Sequence, residues 1–134
     1  MTYTKEEIIE KAKELAKMVS ETEEVDFFKR AEAQINQNKK VQALIAEIKQ
    51  HQKEAVNLQH YRKNEALKQV EEKIDQLMDE VDSIPIVKEF KQSQMDVNDL
   101  LQLIAKTISD TVTNEITKMT GDNVLKRTNE SSSQ

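Results

Sequence analysis

The sequence has no cysteine and no tryptophan, and it has one glycine and one proline in 134 residues. Without cysteine the chain forms no disulfide and supplies no thiolate to a zinc site or an iron–sulfur cluster. One glycine is too few for a glycine-rich phosphate loop. Two tyrosines and three phenylalanines are too few aromatic residues for a sheet protein, whereas the abundant Glu, Lys, Gln, Ala and Leu favour helix. We therefore expect an all-α fold.

Long hydrophobic runs are also missing. No apolar stretch approaches the roughly 20 residues of a membrane span, and the N-terminus lacks an apolar segment of signal-peptide length. We expect a cytoplasmic protein. The net charge of −5 argues against wholesale binding of a phosphate backbone, which needs clustered Lys and Arg. The charge is uneven, however, because residues 36–68 carry seven basic and three acidic side chains between acidic flanks.

The length suits one domain. Hydrophobic residues make up 37% of the chain and charged residues 34%, which is enough apolar content for a folded core. Residues 122–134 contain two apolar residues without a period. We expect a single helical domain at 1–121 and a mobile C-terminal tail at 122–134.

Capping residues predict where the first helices begin. Thr4 and Glu7 form a capping box, and apolar residues then recur at helical spacing to about Ser20. A second helix is capped either by Ser20, in another capping box, or by Thr22. Asn38 is the expected cap of a third helix.

Residues 39–84 contain no glycine or proline and carry two apolar seams. The seams are Val41, Leu44, Ile48, Ala55 and Leu58, then Leu67, Val70, Ile74, Leu77, Val81 and Ile84. The most polar stretch, 59–64, lies between them, and Asn64 is expected to cap a new helix. We interpret this region as a long antiparallel helical hairpin. Lysines on its first helix are expected to face acidic residues on its second.

Pro85 suits the first position of a last helix, and Gly121 suits its end. About 35 helical residues span about 52 Å, far beyond the radius of a compact domain of this size. At about 100° per residue, one apolar stripe is expected to pack inside. It comprises Phe90, Val97, Leu101, Ile104, Ile108, Val112 and Met119. Leu100 and Leu103 form a separate shoulder that is expected to face a partner.

This overlong helix predicts self-association, because large exposed apolar surfaces usually mark interfaces. We expect a homo-oligomer, either a dimer or a dimer of dimers. Phe27 and Phe28 are adjacent, so only one is expected to point into the core. The candidate oligomer or partner interface is Phe27, Leu100, Leu103, Ile108, Val112, Ile116 and Met119.

No catalytic or metal-binding constellation emerges. His51 and His60 are nine residues apart and lie on opposite faces of one helix, so they cannot chelate one metal together. No serine has suitably spaced His and Asp partners, and Glu115, although on the apolar stripe, is expected to be solvated. We expect no enzyme, no catalytic residue and no bound metal.

One segment combines aromatic and cationic side chains, as single-stranded RNA sites do. It is His60, Tyr61, Arg62 and Lys63. Such a segment is more often simply a solvated turn. The net charge of −5 also argues against direct nucleic-acid binding. An RNA-binding module that uses the basic central segment is the alternative to an adaptor.

Three long, irregular segments resemble the YmcA/YlbF family of small helical proteins of spore-forming Gram-positive bacteria. They read SETEEVDFFKRAEAQ at 20–34, NEALKQVE at 64–71 and SQMDVNDLLQL at 93–103. The resemblance covers roughly residues 4–121. It implies an all-helical, non-enzymatic subunit of a complex with YlbF-like and YaaT-like proteins. That complex supports ribonuclease Y in processing and turning over messenger RNA, and thereby biofilm formation, competence and sporulation.

The resemblance also implies iron–sulfur clusters in the assembled complex, with a tail cysteine of related chains among the proposed ligands. This tail reads NESSSQ at 129–134 and contains no cysteine. A serine hydroxyl is a poor substitute for thiolate at iron. We therefore expect no cofactor to be bound by this chain alone.

Overall fold

The structure is a computed structural model that describes residues 2–121. These residues form five helices and no strand, which confirms the predicted all-α fold. The helices are α1 (Lys5–Ser20), α2 (Glu23–Gln37), α3 (Lys39–His60), α4 (Asn64–Asp82) and α5 (Pro85–Thr120). The expected tail at 122–134 lies outside the described residues.

Two of the predicted N-caps have the expected hydrogen bonds. The backbone N–H of Glu7 donates to Thr4 Oγ1 over 3.1 Å, and the N–H of Val41 donates to Asn38 Oδ1 over 2.9 Å. Each bond satisfies a donor that the first helical turn would otherwise leave unpaired. The starts of α1 and α3 are therefore set by local side chains.

Thr22, rather than Ser20, caps α2. The N–H of Val25 donates to Thr22 Oγ1 over 3.4 Å. The Ser20 hydroxyl instead donates to the carbonyl oxygen of Lys17 over 2.6 Å, within the last turn of α1. Of the two alternatives that the sequence left open, the second is correct.

The prediction that Asn64 caps α4 is wrong. Asn64 is the first residue of the helix, and Lys63 occupies the N-cap position without a side-chain capping bond. The reason is the tight turn before it, in which the Lys63 N–H already bonds to the Leu58 carbonyl oxygen over 2.9 Å. This turn starts α4 one residue earlier than a cap at Asn64 would.

The α3–α4 hairpin forms the first core cluster, as predicted from the two seams. Its buried residues are Leu44, Ile48, Ile74 and Leu77, with Ala55, Val70, Val81 and Ile84 packed around them. Among the described residues no ion pair joins α3 to α4. The oppositely charged side chains that were expected to face each other across the hairpin therefore make no direct contact. The apolar seams occupy the contact, and the charged side chains lie outside it.

A second core cluster joins α2, α3 and the first turns of α5. Ile35, Val41 and Val87 are its buried members. Beside it the ring of Phe28 stacks on the ring of Phe90. Phe27 is 46% exposed, which confirms that only one of the two adjacent phenylalanines points inward.

The chain divides into two compact units with a boundary between Met95 and Asp96. The first unit contains α1 to α4 and the first turns of α5, and the second contains the remaining turns of α5. The single domain proposed for 1–121 stays a prediction.

Candidate partner interface

Five exposed apolar side chains share one face of α5 in the second unit. We call them the α5 stripe: Leu101, Ile108, Val112, Ile116 and Met119. At about 100° per residue they lie within an arc of about 80° and extend over about 27 Å of the helix. Their exposed fractions run from 37% at Ile116 to 82% at Met119. A continuous apolar row of this length is typical of a helix face that binds a partner.

The expectation that the long apolar stripe packs inside is only partly correct. Phe90, Val97 and Ile104 are half-buried as expected, whereas the other four members are exposed: Leu101, Ile108, Val112 and Met119. The last three also belong to the candidate interface named from the sequence. Periodicity predicts which residues share a face of a helix. It does not predict how far along the helix that face is covered, because the cover comes from other elements.

The two residues of the predicted shoulder differ in how exposed they are. Leu103 is 60% exposed, but Leu100 is half-buried. On the helix Leu103 lies roughly opposite the α5 stripe. The stripe and Leu103 therefore belong to different faces, and Leu100 offers less free surface than its position in the sequence suggests.

Polar side chains line the α5 stripe and keep it from extending around the helix. Glu115 is 58% exposed and pairs with Lys118 over 3.3 Å, so it is solvated as expected. Lys106 pairs with Asp110 over 2.7 Å on the other side of the helix, near Leu103. Such surface pairs contribute little stability, but Glu115 and Lys118 border one side of the apolar row with polar groups, as in many interfaces.

The first helix carries apolar surface that the sequence analysis did not include in the candidate interface. None of the residues of α1 is buried. Ile8, Ile9 and Met18 are all more than half exposed, while Leu15 and Val19 are half-buried. The period-3.6 pattern was the available signal, but a surface helix and a partner-binding helix share that pattern.

The hairpin tip, His60–Lys63, brings two rings and two cations together. The rings of His60 and Tyr61 meet edge to face, with centroids 5.2 Å apart and planes 78° apart. Tyr61 is 72% exposed. Arg62 has φ +58°, the left-handed conformation, which destabilises a residue other than glycine by about 1 to 2 kcal/mol. No sequence signal predicts this conformation at an arginine.

Residues 2–121 contain no group of three or more His, Cys, Asp or Glu side chains arranged to hold a metal ion. His51 lies 3.3 Å from Glu54 on its own helix. An open groove of about 360 Å³ lies along α3, α4 and the first turns of α5. Ile48, Met78 and Val81 contribute to its lining together with Lys49, Asp82 and Lys91. Two of these charged side chains, Asp82 and Lys91, pair with each other.

No helix within residues 2–121 is both long enough and apolar enough to cross a bilayer.

The structure is all-helical over its described residues, and its last helix carries an exposed apolar face, the α5 stripe. Residues 8–113 match the YlbF/YmcA family, described as control of competence regulator ComK, and the chain belongs to this family. The match spans most of the five helices and includes much of the α5 stripe.

Two known proteins are similar to this chain. The Bacillus subtilis (strain 168) protein named "Uncharacterized protein YmcA" is 63% identical over 124 residues, which are 92% of this chain and 87% of that protein. A chain from the X-ray crystal structure of Bacillus subtilis RicA in complex with RicF has a TM-score of 0.76. That comparison covers 84% of this chain and 99% of the other at 14% identity, so it supports the fold alone.

Proposed function

We propose that this protein is a non-enzymatic regulatory subunit, an adaptor that acts by binding other proteins. The observation that carries the proposal is the α5 stripe, with five apolar side chains on one face and the Glu115–Lys118 ion pair beside it. A helix that exposes such a row is stabilised when a partner covers it. Membership in a family described as control of a competence regulator supports a regulatory role.

The proposed partners are a YlbF-like protein and a YaaT-like protein. The structural neighbour comes from a complex of RicA with RicF, which supports assembly with another protein. We propose that the assembly supports ribonuclease Y-dependent processing and turnover of messenger RNA. Biofilm formation, competence and sporulation would follow from that role.

The remaining parts of the proposal concern the isolated chain. It is cytoplasmic, forms a homo-oligomer when its partners are absent, and binds no cofactor alone. In the assembled complex, iron–sulfur clusters would be held by thiolates of the partners, because this chain has no cysteine.

Co-purification tests the adaptor proposal. The chain and a YlbF-like protein from the same organism are co-expressed, with an affinity tag on the partner only, and the captured complex is quantified. Ile108→Glu places an unpaired carboxylate in the α5 stripe and is expected to reduce capture at least tenfold.

The matched control is Thr107→Glu, which adds the same charge to the same helix on an exposed position away from the stripe. It is expected to leave capture unchanged. Equal capture of both variants would place the partner surface elsewhere, and absence of capture with the unaltered chain would contradict the adaptor proposal.

A further inference from the structure

The turn between α3 and α4 closes with a pattern of hydrogen bonds that normally ends in glycine. The Lys63 N–H donates to the Leu58 carbonyl oxygen over 2.9 Å, and the Arg62 N–H donates to that of Gln59 over 3.2 Å. This pair of bonds is a Schellman motif, whose left-handed position is usually glycine and sometimes asparagine. Here that position holds Arg62, with φ +58°. The fold therefore carries an arginine where glycine would be unstrained.

Strained residues concentrate at functional sites, so the guanidinium of Arg62 needs a role that glycine could not fill. Among residues 2–121 neither Arg62 nor Lys63 takes part in an ion pair with an acidic side chain. Residues 55–64 contain no Asp or Glu. The two cations therefore remain available to an external anion.

The rings beside these cations are arranged to accept a planar group. Tyr61 is 72% exposed, so most of its surface is open to an external group, and its ring meets the ring of His60 edge to face. One exposed ring next to two available cations matches the elements of single-stranded nucleic-acid sites, in which bases stack and phosphates bind cations.

We propose that the hairpin tip, His60–Lys63, binds single-stranded nucleic acid. A base stacks on Tyr61, and Arg62 and Lys63 contact flanking phosphates. An acidic protein could also pair with these cations. A protein interface, however, usually has an apolar centre, and in the turn of α3 that precedes the tip Val56 is the single large exposed apolar side chain. The net charge of −5 opposes wholesale binding, but this tip lies in the basic segment.

Two phosphate contacts and one stacked base give weak binding for one copy of the chain. A homo-oligomer would present several tips to one strand and raise the apparent affinity. The tip and the α5 stripe contain different residues, so this inference goes beyond the adaptor function. Nucleic-acid binding at the tip can therefore be tested separately from partner binding at the stripe.

Fluorescence anisotropy of labelled single strands of about 12 nucleotides, titrated with the full chain at low salt, tests the proposal. Oligo(A), oligo(U) and oligo(dA) serve as probes. Oligo(A) is expected to bind tighter than oligo(U), since purines stack more strongly, and oligo(dA) is expected to bind like oligo(A). Tyr61→Ala is expected to weaken binding about tenfold, and Tyr61→Phe to retain it.

Arg62→Gly separates a binding role from a folding role. Glycine is unstrained at φ +58°, so this variant is expected to raise the melting temperature by about 3 to 5 °C. The same variant is expected to weaken binding severalfold and to reduce the slope of log affinity against log salt by about 0.7, the loss of one phosphate contact. If the variant is more stable and yet binds more weakly, unfolding cannot be the cause of the weaker binding.

Arg30→Gln is the matched control, because it removes the same charge from α2 and is expected to leave binding unchanged. Binding that survives both Tyr61→Ala and Arg62→Gly would overturn the proposal. So would displacement of the strand by poly-L-glutamate as effectively as by unlabelled oligo(A), since that result would assign the tip to acidic proteins. Ile108→Glu tests the other surface and is expected to leave the contacts of each tip intact.

Discussion

The ring of Phe28 stacks on the ring of Phe90, with centroids 5.3 Å apart and planes 27° apart. This contact joins α2 to the start of α5 beside the cluster of Ile35, Val41 and Val87. The neighbouring Phe27 faces outward, and the guanidinium of Arg30 lies 5.8 Å from the centre of its ring. Two adjacent phenylalanines therefore have different roles, one in the core and one at the surface.

Phe28→Ala is expected to lower the free energy of unfolding by about 2 kcal/mol, because it removes a half-buried ring and its stacking contact with Phe90. Urea unfolding followed by circular dichroism measures this loss. Phe27→Ala is the matched control and is expected to change stability by less than about 1 kcal/mol. Equal losses for both variants would contradict the assignment of Phe28 alone to the core.

Leu77→Ala is expected to destabilise the hairpin core by about 3 kcal/mol, since Leu77 is only 3% exposed and its removal leaves a cavity. Met78, the next residue, is 43% exposed, so Met78→Ala is expected to cost about 1 kcal/mol or less. Thermal unfolding of the two variants side by side checks the register of α4. A larger loss for Met78→Ala would mean that α4 presents a different face.

Asn38→Ala removes the cap of α3 and is expected to lower the free energy of unfolding by about 1 kcal/mol. Asn36→Ala changes the same side chain at an exposed position near the end of α2 and is expected to have an effect within about 0.5 kcal/mol of zero. Chemical denaturation of the pair isolates the capping bond. No difference between them would show that the bond to Val41 contributes nothing net.

Light scattering over a concentration series tests self-association of the isolated chain. We expect a mass above the 15.5 kDa of one chain. Ile108→Glu and Leu103→Glu place a carboxylate on opposite faces of α5 and therefore distinguish two interfaces. Dissociation by Ile108→Glu alone assigns the interface to the α5 stripe, and dissociation by Leu103→Glu alone assigns it to the opposite face. A mass of 15.5 kDa for the unaltered chain at every concentration would contradict the expected homo-oligomer.

Metal analysis of protein purified without oxygen tests the expectation that the isolated chain binds no cluster. Iron and zinc are both expected to stay well below one atom per chain, because no thiolate is available. The purified complex with its partners is the comparison sample. Stoichiometric iron in the isolated chain would require ligands other than cysteine.

The helix starts were predictable at Thr4 and Asn38, and at α2 to within two candidate caps, because a cap acts over three residues of sequence. The hairpin was predictable because two apolar seams flank one polar stretch. The prediction that Asn64 caps α4 was wrong because the preceding turn, rather than the Asn64 side chain, determines where α4 begins.

The candidate surfaces were only partly predictable. The length of α5 and its periodicity together placed Ile108 and Met119 in the candidate interface. They could not show that Leu101 is exposed while Ile104 is half-buried, because cover depends on distant parts of the chain. The left-handed backbone of Arg62 was not predictable either, since its residue type disfavours that conformation.

The α3–α4 hairpin also has a consequence for how the chain reaches its folded state. Three residues connect two long helices whose apolar seams form a continuous core, so closing the loop between them sacrifices little chain entropy. Contacts between neighbouring segments form early in folding, and those that join distant segments form later. The hairpin cluster that contains Leu44 and Ile74 is therefore expected to be packed already in the folding transition state. Mutational φ-values, which compare the effect of a substitution on the folding rate with its effect on stability, are expected to be high at these two residues and low at Ile35 and Val87. That result would place the docking of α2 and α5 after the rate-limiting step.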